Sequence, residues 1–413
     1  MKDGRMERNV ILGPTTEKQR FIILDALRGL ALLGICLANL PEFALWTFLS
    51  GEEQATMPTA EADRVVRFLQ YFIVDAKFYS IFSILFGIGF SIILSHAEER
   101  GGSGIRLFYR RMLVLLGMAL AHLLLIWSGD ILSLYAVVGM MLPLLRRLND
   151  KRLLALAGGC ILMPVVLDGW QEWTGTDFAA PLEAAWWAKA HSYGITEENF
   201  ATWLRDADGY VAVHQFLMQG AIERMWEFVG GHRLLKVLGL FLIGYCIGRN
   251  RLYARLEEMH KGIKRVFWIG LIVGIPTSTL YAMSATGGHP WGLTVHSLLY
   301  AVSALPMALA YMTGLCLLMP RCPHLLLFRW LAKPGRMALT NYISQSLVGI
   351  ILYYGIGFGM GLDMGLWQVE LTAIGIFLAQ IVCSHVWMKW FKYGPLEWVW
   401  RMLTYGRWLD IRK

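Results

Sequence analysis

The sequence predicts an all-α protein, a polytopic transmembrane helical bundle of about ten spans with both termini in the cytoplasm. Two observations support this fold class. Apolar residues make up 56% of the 413 residues and charged residues only 16%, and uncharged stretches that approach the roughly 20 residues of a bilayer-spanning helix recur along the chain. Lys and Arg also concentrate in alternate connections, which is the pattern of loops that stay on the cytoplasmic side.

Ten apolar segments are candidate spans, of which the fourth and fifth are short. They lie near residues 22–45, 70–95, 110–127, 130–146, 152–168, 233–248, 265–284, 294–319, 337–358 and 366–391. An even number of spans puts both chain ends on one side of the membrane. Basic clusters at 146–152 and 249–265 assign that side to the cytoplasm, because the alternate connections are acidic. This distribution explains the net charge of +8, so we do not interpret the charge as nucleic-acid binding.

One long external connection divides this single membrane domain into two halves. Residues 1–168 carry spans one to five, residues 169–232 form the connection, and residues 233–413 carry spans six to ten. Trp170 and Trp173 lie near the start of the connection, and aromatic rings favour the headgroup level of a bilayer. We therefore expect interfacial helices there, which serve either as membrane anchors or as a substrate lid.

The first span contains ionisable residues where lipid-facing ones are expected. Asp25 and Arg28 are three residues apart, so their side chains lie on one side of a helix. Asn39 lies about three turns further along nearly the same face. One interpretation is a helix-end ion pair plus an interhelical asparagine, and the other is a functional path through the membrane.

A second group of polar residues falls near the external ends of the second and third spans. Asp75 and Lys77 immediately precede an apolar run, and His122 lies roughly one and a half turns before the external turn that contains Asp130. A histidine whose tautomer is held by a carboxylate can abstract a proton near neutral pH. We predict that His122 is functional, although Asp75 and Lys77 could mark only the membrane interface and a lone histidine is often structural.

An inner layer of arginines is predicted at the cytoplasmic ends of the helices, formed by Arg28, Arg110, Arg111 and Arg336. Guanidinium groups bind phosphate oxygens, so this layer suits an anionic, phosphate-bearing molecule. Asn341 and Gln345 are one turn apart on the ninth span and direct a polar strip toward the protein interior. Hydrogen bonding between helices is the alternative role for this strip.

Five motifs in order along the chain resemble those of the YeiB-like bacterial membrane proteins. They are LDALRGLALLGI at 24–35 followed by Asn39, the KF to LFGIGF run at 77–90, the segment at 122–132, GRMALTNY at 335–342 and GPLEW at 394–398. The resemblance covers nearly the whole chain. It implies a multi-pass protein of the bacterial inner membrane.

A wider resemblance connects two of these motifs to integral membrane acyltransferases. The Leu-Asp-x-x-Arg-Gly start and the Asp75-x-x-Phe78 entry look like those of bacterial O-acetylating enzymes and of heparan-α-glucosaminide N-acetyltransferase. These relatives move an acyl group from cytoplasmic acyl-CoA to a sugar beyond the membrane. The likeness implies an acyl-CoA donor, with acetyl-CoA as the first choice, whose phosphates are held by Arg28 and by Arg110 and Arg111.

The sequence departs from the O-acetylating relatives at the external end of the first span. They carry a histidine there, whereas this chain has Asn39 and no histidine between residues 29 and 95. Either His122 serves as the base, oriented by Asp130 or Asp75, or the acyl-transfer chemistry has been altered or lost. Asn39 or Lys77 would polarise the thioester oxygen. The expected donor site comprises Asp25, Arg28, Lys77, Arg110, Arg111, Arg336 and Asn341.

The leading interpretation is an acyltransferase that acts on an extracytoplasmic glycan, lipid or small molecule. Two other classes remain open, namely a transporter of a small anionic or acylated solute and a non-catalytic membrane assembly factor. The expected partners are membrane lipids, acyl-CoA and the external acceptor, without nucleic acid, and a homo-oligomer is left open. No spacing typical of metal ligands appears, so no metal is expected.

Overall fold

A computed structural model describes residues 21–99, 103–322 and 324–413. These residues form helices and no β-strand, and their sole β-type pairing is an isolated antiparallel bridge between Phe391 and Arg412. The all-α fold class is therefore confirmed. Residues 1–20, which belong to the predicted N-terminal half, lie outside the described ranges.

Seventeen α-helices lie in the described ranges. In chain order they are α1 (Ile22–Phe43), α2 (Gly51–Thr56), α3 (Ala60–Leu69), α4 (Lys77–Glu99), α5 (Gly104–Leu125), α6 (Leu132–Gly139), α7 (Leu142–Leu145), α8 (Asp150–Thr174), α9 (Ala180–Ser192), α10 (Tyr210–Gly230), α11 (Arg233–Arg249), α12 (His260–Thr286), α13 (Leu293–Arg321), α14 (Leu326–Arg336), α15 (Ala338–Tyr353), α16 (Leu366–Trp390) and α17 (Pro395–Tyr405). A single π-helical turn, Gln70–Val74, connects α3 to the break before α4.

Seven helical segments in the described ranges are long and apolar enough to cross a membrane. They are α1, the segment Ala60–Glu99 that contains α3 and α4, and α5, α8, α12, α13 and α16. Helices α10 and α11 pass the same test together but bend by 65°, which raises the number to eight if the pair is one span. The protein thus has the helices of a multi-pass membrane protein, and seven of the ten predicted spans correspond to these segments.

The other three predicted spans fall on shorter helices. The fourth coincides with the short apolar helix Leu132–Leu145, in which α6 and α7 are separated by a turn. The sixth is α11 of the bent pair, and the ninth is α15, which has 16 residues. The number of ten spans and the cytoplasmic location of the termini stay predictions.

Helix α1 lies inside the bundle and packs against α4, α14, α15 and α16. Gly29 in its first half packs on the backbone of Leu331 in α14. The ring of Phe43 in its last turn is 4.3 Å from the ring of Trp127, just beyond α5. We call the end of the bundle where α1 begins the proximal face and the end where α1 ends the distal face. The sequence prediction assigns the proximal face to the cytoplasm.

Residues 169–232, expected to be an external connection with interfacial helices, contain the end of α8 and all of α9 and α10. Trp186 of α9 is buried, and its ring stacks on the rings of Trp187 and Trp226 at 4.7 and 5.3 Å. Trp173 is instead 78% exposed. The tryptophans thus divide between a packed group inside the segment and exposed rings suited to a membrane interface.

The close approach of α14 to α1 depends on Gly335, where a Cβ would overlap the carbonyl oxygen of Asp25. Backbone atoms yield less readily than side chains, so we expect Gly335→Ala to destabilise the protein by about 1–3 kcal/mol. The measurement is the midpoint of thermal unfolding in detergent. Gly117→Ala is the matched control, because a Cβ there has no described atom within 4 Å. Equal midpoints for the two variants would contradict this prediction.

Candidate functional site

A cavity of about 310 Å³ lies at the proximal end of the bundle between α1, α4, α5, α15 and α17. Its wall carries more positive than negative charge. The arginines in the wall are Arg28, Arg111, Arg336 and Arg401, and the carboxylates are Asp25 and Glu397. The rest of the wall is mainly apolar, with Phe82, Phe86 and Phe90 on α4. The cavity therefore combines cationic groups with an aromatic interior.

The arginines are held in place by neighbouring groups. Arg28 donates a hydrogen bond to Asp25, with 2.7 Å between Nη1 and Oδ1. The guanidinium group of Arg111 lies 3.8 Å from the centre of the Trp400 ring, a cation–π arrangement that leaves its edge N–H groups for other partners. Helix α17 thus completes the cationic wall that α1 and α5 begin.

Glu397 fastens α17 to the start of α15. Its carboxylate accepts hydrogen bonds from the backbone N–H of Leu339 at 2.7 Å and from the hydroxyl of Thr340 at 2.6 Å. Free N–H groups at a helix N-terminus favour such a carboxylate. Burial raises the pKa of the Glu397 carboxyl, and the bonds from Thr340 oppose that shift. This residue therefore positions the wall of the cavity.

A buried Asp–His–Ser group lies further toward the distal face. His122 in the last turn of α5 has Nδ1 3.0 Å from Oδ1 of Asp130 and Nε2 3.0 Å from Oγ of Ser346 on α15. The exposed fractions are 1% for His122, 0% for Asp130 and 1% for Ser346. Asp130 is held in turn by the backbone N–H of Ser133, which donates to Oδ2 at 2.7 Å.

The partners of His122 favour one tautomer. Carboxylate oxygens accept hydrogen bonds, so pairing with Asp130 favours the tautomer that carries a proton on Nδ1. The lone pair on Nε2 then accepts the hydrogen bond from the hydroxyl of Ser346. This is the arrangement of a general base that faces a hydroxyl group.

Tyr342 connects the cavity with the His122 group. It lines the cavity, and its ring centre is 5.3 Å from that of His122. Within the described ranges the proton of its buried hydroxyl has no acceptor, and the backbone N–H of Ile131 lies beside its oxygen. Ile131, which directly follows Asp130, also lines the cavity. The His122 group therefore lies immediately behind the inner end of the cavity, with the Tyr342 ring beside it.

Several residues singled out from the sequence are brought together. Asp25, Arg28, Arg111 and Arg336 lie in one cavity wall. His122 and Asp130 form a hydrogen-bonded pair. The arginine-bearing group and the histidine-bearing group are thus distinct in space, with the ring of Tyr342, which lines the cavity, beside His122.

Asp75 and Lys77 have other partners. Asp75 accepts a hydrogen bond from the hydroxyl of Tyr281 at 2.6 Å. The ammonium group of Lys77 donates to the carbonyl oxygen of Tyr71 at 2.6 Å and lies 4.9 Å from the centre of the Tyr281 ring. Both residues therefore contact α12, and neither lines the cavity or contacts His122.

Three more of the predicted residues lie outside the cavity wall. Asn341 donates hydrogen bonds to the carbonyl oxygen of Pro334 and to Ser384 on α16, which is the interhelical role considered for it. Arg110 is exposed, and its guanidinium group lies against Gly406. Asn39 is half-buried, and within the described part of the chain its side chain makes no hydrogen bond of its own.

Sequence reasoning missed Ser346, Tyr342 and Arg401. A helical signal was available for the first two, because residues 342 and 346 are one turn apart and share a face. The sequence prediction instead singled out the neighbouring pair Asn341 and Gln345, whose side chains bond to α16. Arg401 carried no such signal, since it reaches the cavity only through the docking of α17.

No group of three or more His, Cys, Asp or Glu side chains in the described ranges is placed to hold a metal ion. The cavity offers anion-binding guanidinium groups, an apolar interior and a phenol whose proton has no acceptor among the described residues. The buried group behind it offers a base and a hydroxyl.

Comparison with known proteins finds relatives along nearly the full length of the chain. A family described as "Protein of unknown function (DUF418)" matches residues 247–407. The protein YxaH of Bacillus subtilis is 29% identical, with 97% of this chain and 98% of the relative covered. The protein YeiB of Escherichia coli is 29% identical, with coverage of 94% and 96%.

A third relative comes from Bacillus acidopullulyticus, where it is called a 39.9 kDa protein in the amylase 3′ region. It is 32% identical to this chain over 96% of the chain and 97% of the relative. Identity of this level over nearly the whole of both sequences indicates a shared fold and not a shared motif alone. The chain therefore belongs to the YeiB-like, DUF418-containing family.

Proposed function

We propose that this protein is a membrane acyltransferase that moves an acyl group from acyl-CoA at the proximal face to a hydroxyl or amine that enters from the distal face. One observation carries the proposal. A single cavity has guanidinium groups at its mouth and an aromatic interior, and its inner end lies beside a buried Asp130–His122 pair.

The shape and charge of the cavity match the parts of an acyl-CoA. Phosphate groups would bind Arg28, Arg336 and Arg401, since guanidinium groups make bidentate, charge-assisted hydrogen bonds to phosphate. The volume of about 310 Å³ suits the pantetheine arm and the acyl group. The nucleotide would then stay at the proximal mouth, where Arg111 and Trp400 offer a charged and aromatic surface.

The inner residues supply the chemistry of transfer. Nε2 of His122 accepts the proton of the acceptor group, and Asp130 stabilises the imidazolium that forms. The carbonyl carbon of the thioester gains a bond to the acceptor oxygen or nitrogen and loses its bond to sulfur. The proton then passes from His122 to the CoA thiolate. The hydroxyl of Tyr342, whose proton has no acceptor among the described residues, is suited to donate to the carbonyl oxygen as negative charge develops there.

The test uses the purified protein in lipid nanodiscs with acetyl-CoA and a series of longer acyl-CoAs. Binding is measured by calorimetry, and release of the CoA thiol is measured with a thiol reagent. We expect binding in the micromolar range, typical of substrate complexes, and slow thiol release that accelerates when an acceptor is present. Absence of both signals for every acyl-CoA would refute the proposal. Uptake of label into proteoliposomes without thiol release would indicate a transporter instead.

Tyr342→Phe removes the hydroxyl and keeps the ring. We expect kcat to fall by about 10²- to 10³-fold while the Kd for acyl-CoA changes little, because an oxyanion donor acts mainly in the transition state. Tyr135→Phe is the matched control, since Tyr135 also lines the cavity but its hydroxyl is already paired with Ser83 at 2.6 Å. Equal loss of kcat in the two variants would argue against a role of Tyr342 in charge stabilisation.

A further inference from the structure

We propose that Ser346 is a catalytic nucleophile and that the acyl group is held on its Oγ as a covalent ester between the two halves of the reaction. This inference rests on the proposed function and deepens it. It changes the mechanism from direct transfer to double displacement, in which the donor leaves before the acceptor reacts.

The first support is the arrangement of three side chains that hydrogen bonds link one to the next. Ser346 Oγ is 3.0 Å from Nε2 of His122, and Nδ1 of the same ring is 3.0 Å from Asp130. Nucleophile, base and orienting carboxylate are thus joined by two hydrogen bonds, which is the general requirement for activating a serine hydroxyl. The carboxylate is itself held by the backbone of Ser133.

The second support is that the other hydrogen-bond acceptor near the Ser346 hydroxyl is more distant than His122. A serine inside a membrane helix commonly bonds to the carbonyl oxygen four residues earlier. Here that contact, to Tyr342, is 3.5 Å long, whereas the contact to His122 is 3.0 Å. A hydroxyl has one proton to donate, so the histidine is its closer acceptor. The side chain is therefore directed at the base and not at its own helix.

The third support is the position of Ser346 beside the cavity. Tyr342 and Ser346 are one turn apart on α15, so Ser346 shares the face whose Tyr342 lines the cavity. A thioester whose carbonyl oxygen meets the Tyr342 hydroxyl would bring its carbon toward Oγ of Ser346. A shift of the Tyr342 ring is needed to join the two spaces, because Ser346 is 1% exposed.

The covalent mechanism has two halves, and in each half the proton passes through His122. His122 takes the proton of the Ser346 hydroxyl, Oγ bonds to the thioester carbon, and the carbon–sulfur bond breaks. The thiolate receives that proton from His122 and leaves as CoA. In the second half, His122 deprotonates the acceptor, whose oxygen or nitrogen bonds to the ester carbon, and Oγ leaves with the proton. No oxidant, reductant or metal takes part.

The experiment incubates the protein in nanodiscs with radiolabelled acetyl-CoA and no acceptor, followed by denaturation and peptide mass spectrometry. We expect one acetyl group on the peptide that contains Ser346 and none in Ser346→Ala. We expect kcat of Ser346→Ala to fall by about 10³-fold or more. Ser344→Ala is the matched control, because the Ser344 hydroxyl lies on another face of α15, where it donates to the carbonyl oxygen of Asn341 and accepts from Gln380 of α16. Ser346→Cys should restore labelling as a thioester and shows that the position folds.

The outcomes separate this inference from the proposed function. Transfer by Ser346→Ala at a rate near that of the wild type, without labelling of Ser346, would overturn the covalent step and leave direct transfer in place. A fluorophosphonate probe tests the nucleophile without acyl-CoA. Labelling of Ser346 that disappears in His122→Ala supports the nucleophile even if acyl-CoA proves not to be the donor. Failure of the probe to label the wild type would count against it.

Discussion

His122→Ala is expected to lower kcat for acyl transfer by about 10³-fold or more. The imidazole is the base of the proposed mechanism, and its Nε2 is 3.0 Å from Ser346 Oγ. We expect the Kd for acyl-CoA to change by less than about threefold, because His122 does not line the cavity that would bind the donor.

The measurement is kcat and Kd on the same nanodisc preparation. His385→Ala is the control, because His385 also lies in a long apolar helix but bonds only to the carbonyl oxygen of Ile381 in its own helix. Asp130→Asn tests the orienting role separately, since an amide no longer selects the Nδ1–H tautomer. Substantial activity in His122→Ala would refute the assignment of the base. Loss of donor binding together with kcat would indicate a structural role for this histidine.

The double variant Arg28→Gln/Arg336→Gln is expected to weaken acyl-CoA binding by about 100-fold, because each charge-assisted hydrogen bond contributes on the order of 1.5 kcal/mol or more. The loss should appear in KM and Kd, with kcat little changed at saturation, since the arginines contact the donor far from the reacting carbon. Wild-type affinity should also weaken as salt is added.

A truncated donor distinguishes phosphate binding by the arginines from a structural role of the same residues. An acyl-pantetheine lacks the nucleotide phosphates, so its affinity should be nearly the same for the wild type and the double variant. Arg106→Gln is the matched control, because Arg106 is an exposed arginine on the same helix as Arg111 and does not line the cavity. An equal loss of affinity for both donors would show that the arginines support the fold of the mouth and do not bind phosphate.

Much of the fold was predictable because membrane helices depend on local quantities. The length and apolar content of each segment can be read directly, and lipid leaves the backbone no partners outside its own helix. The fourth, sixth and ninth predicted spans fall on helices too short to be independent spans, for a physical reason. Helices α6, α11 and α15 are short and sit beside breaks or bends, so their lengths lie below that of an independent span.

Part of the site was predictable for the same reason. Asp130 follows His122 by eight residues across one tight turn, so proximity along the chain brings them together. The sequence places Asp75 and Lys77 at about the same depth in the membrane as His122. Depth alone does not determine which residues are neighbours. Their partners on α12 became known only from the packing of that helix beside the π-helical turn.

The sequence by itself therefore determined the helical membrane class, the segments that fill the bundle, the arginines near one end and the His122–Asp130 pair. Only the tertiary structure decided that Ser346, 224 residues from His122 in sequence, completes that pair, and that Arg401 joins Arg28 in one cavity wall. The physical reason is that a helix in lipid is apolar on most of its faces, so its pattern gives little information about its neighbours. Close backbone contacts, such as Gly335 against Asp25, select which helices meet.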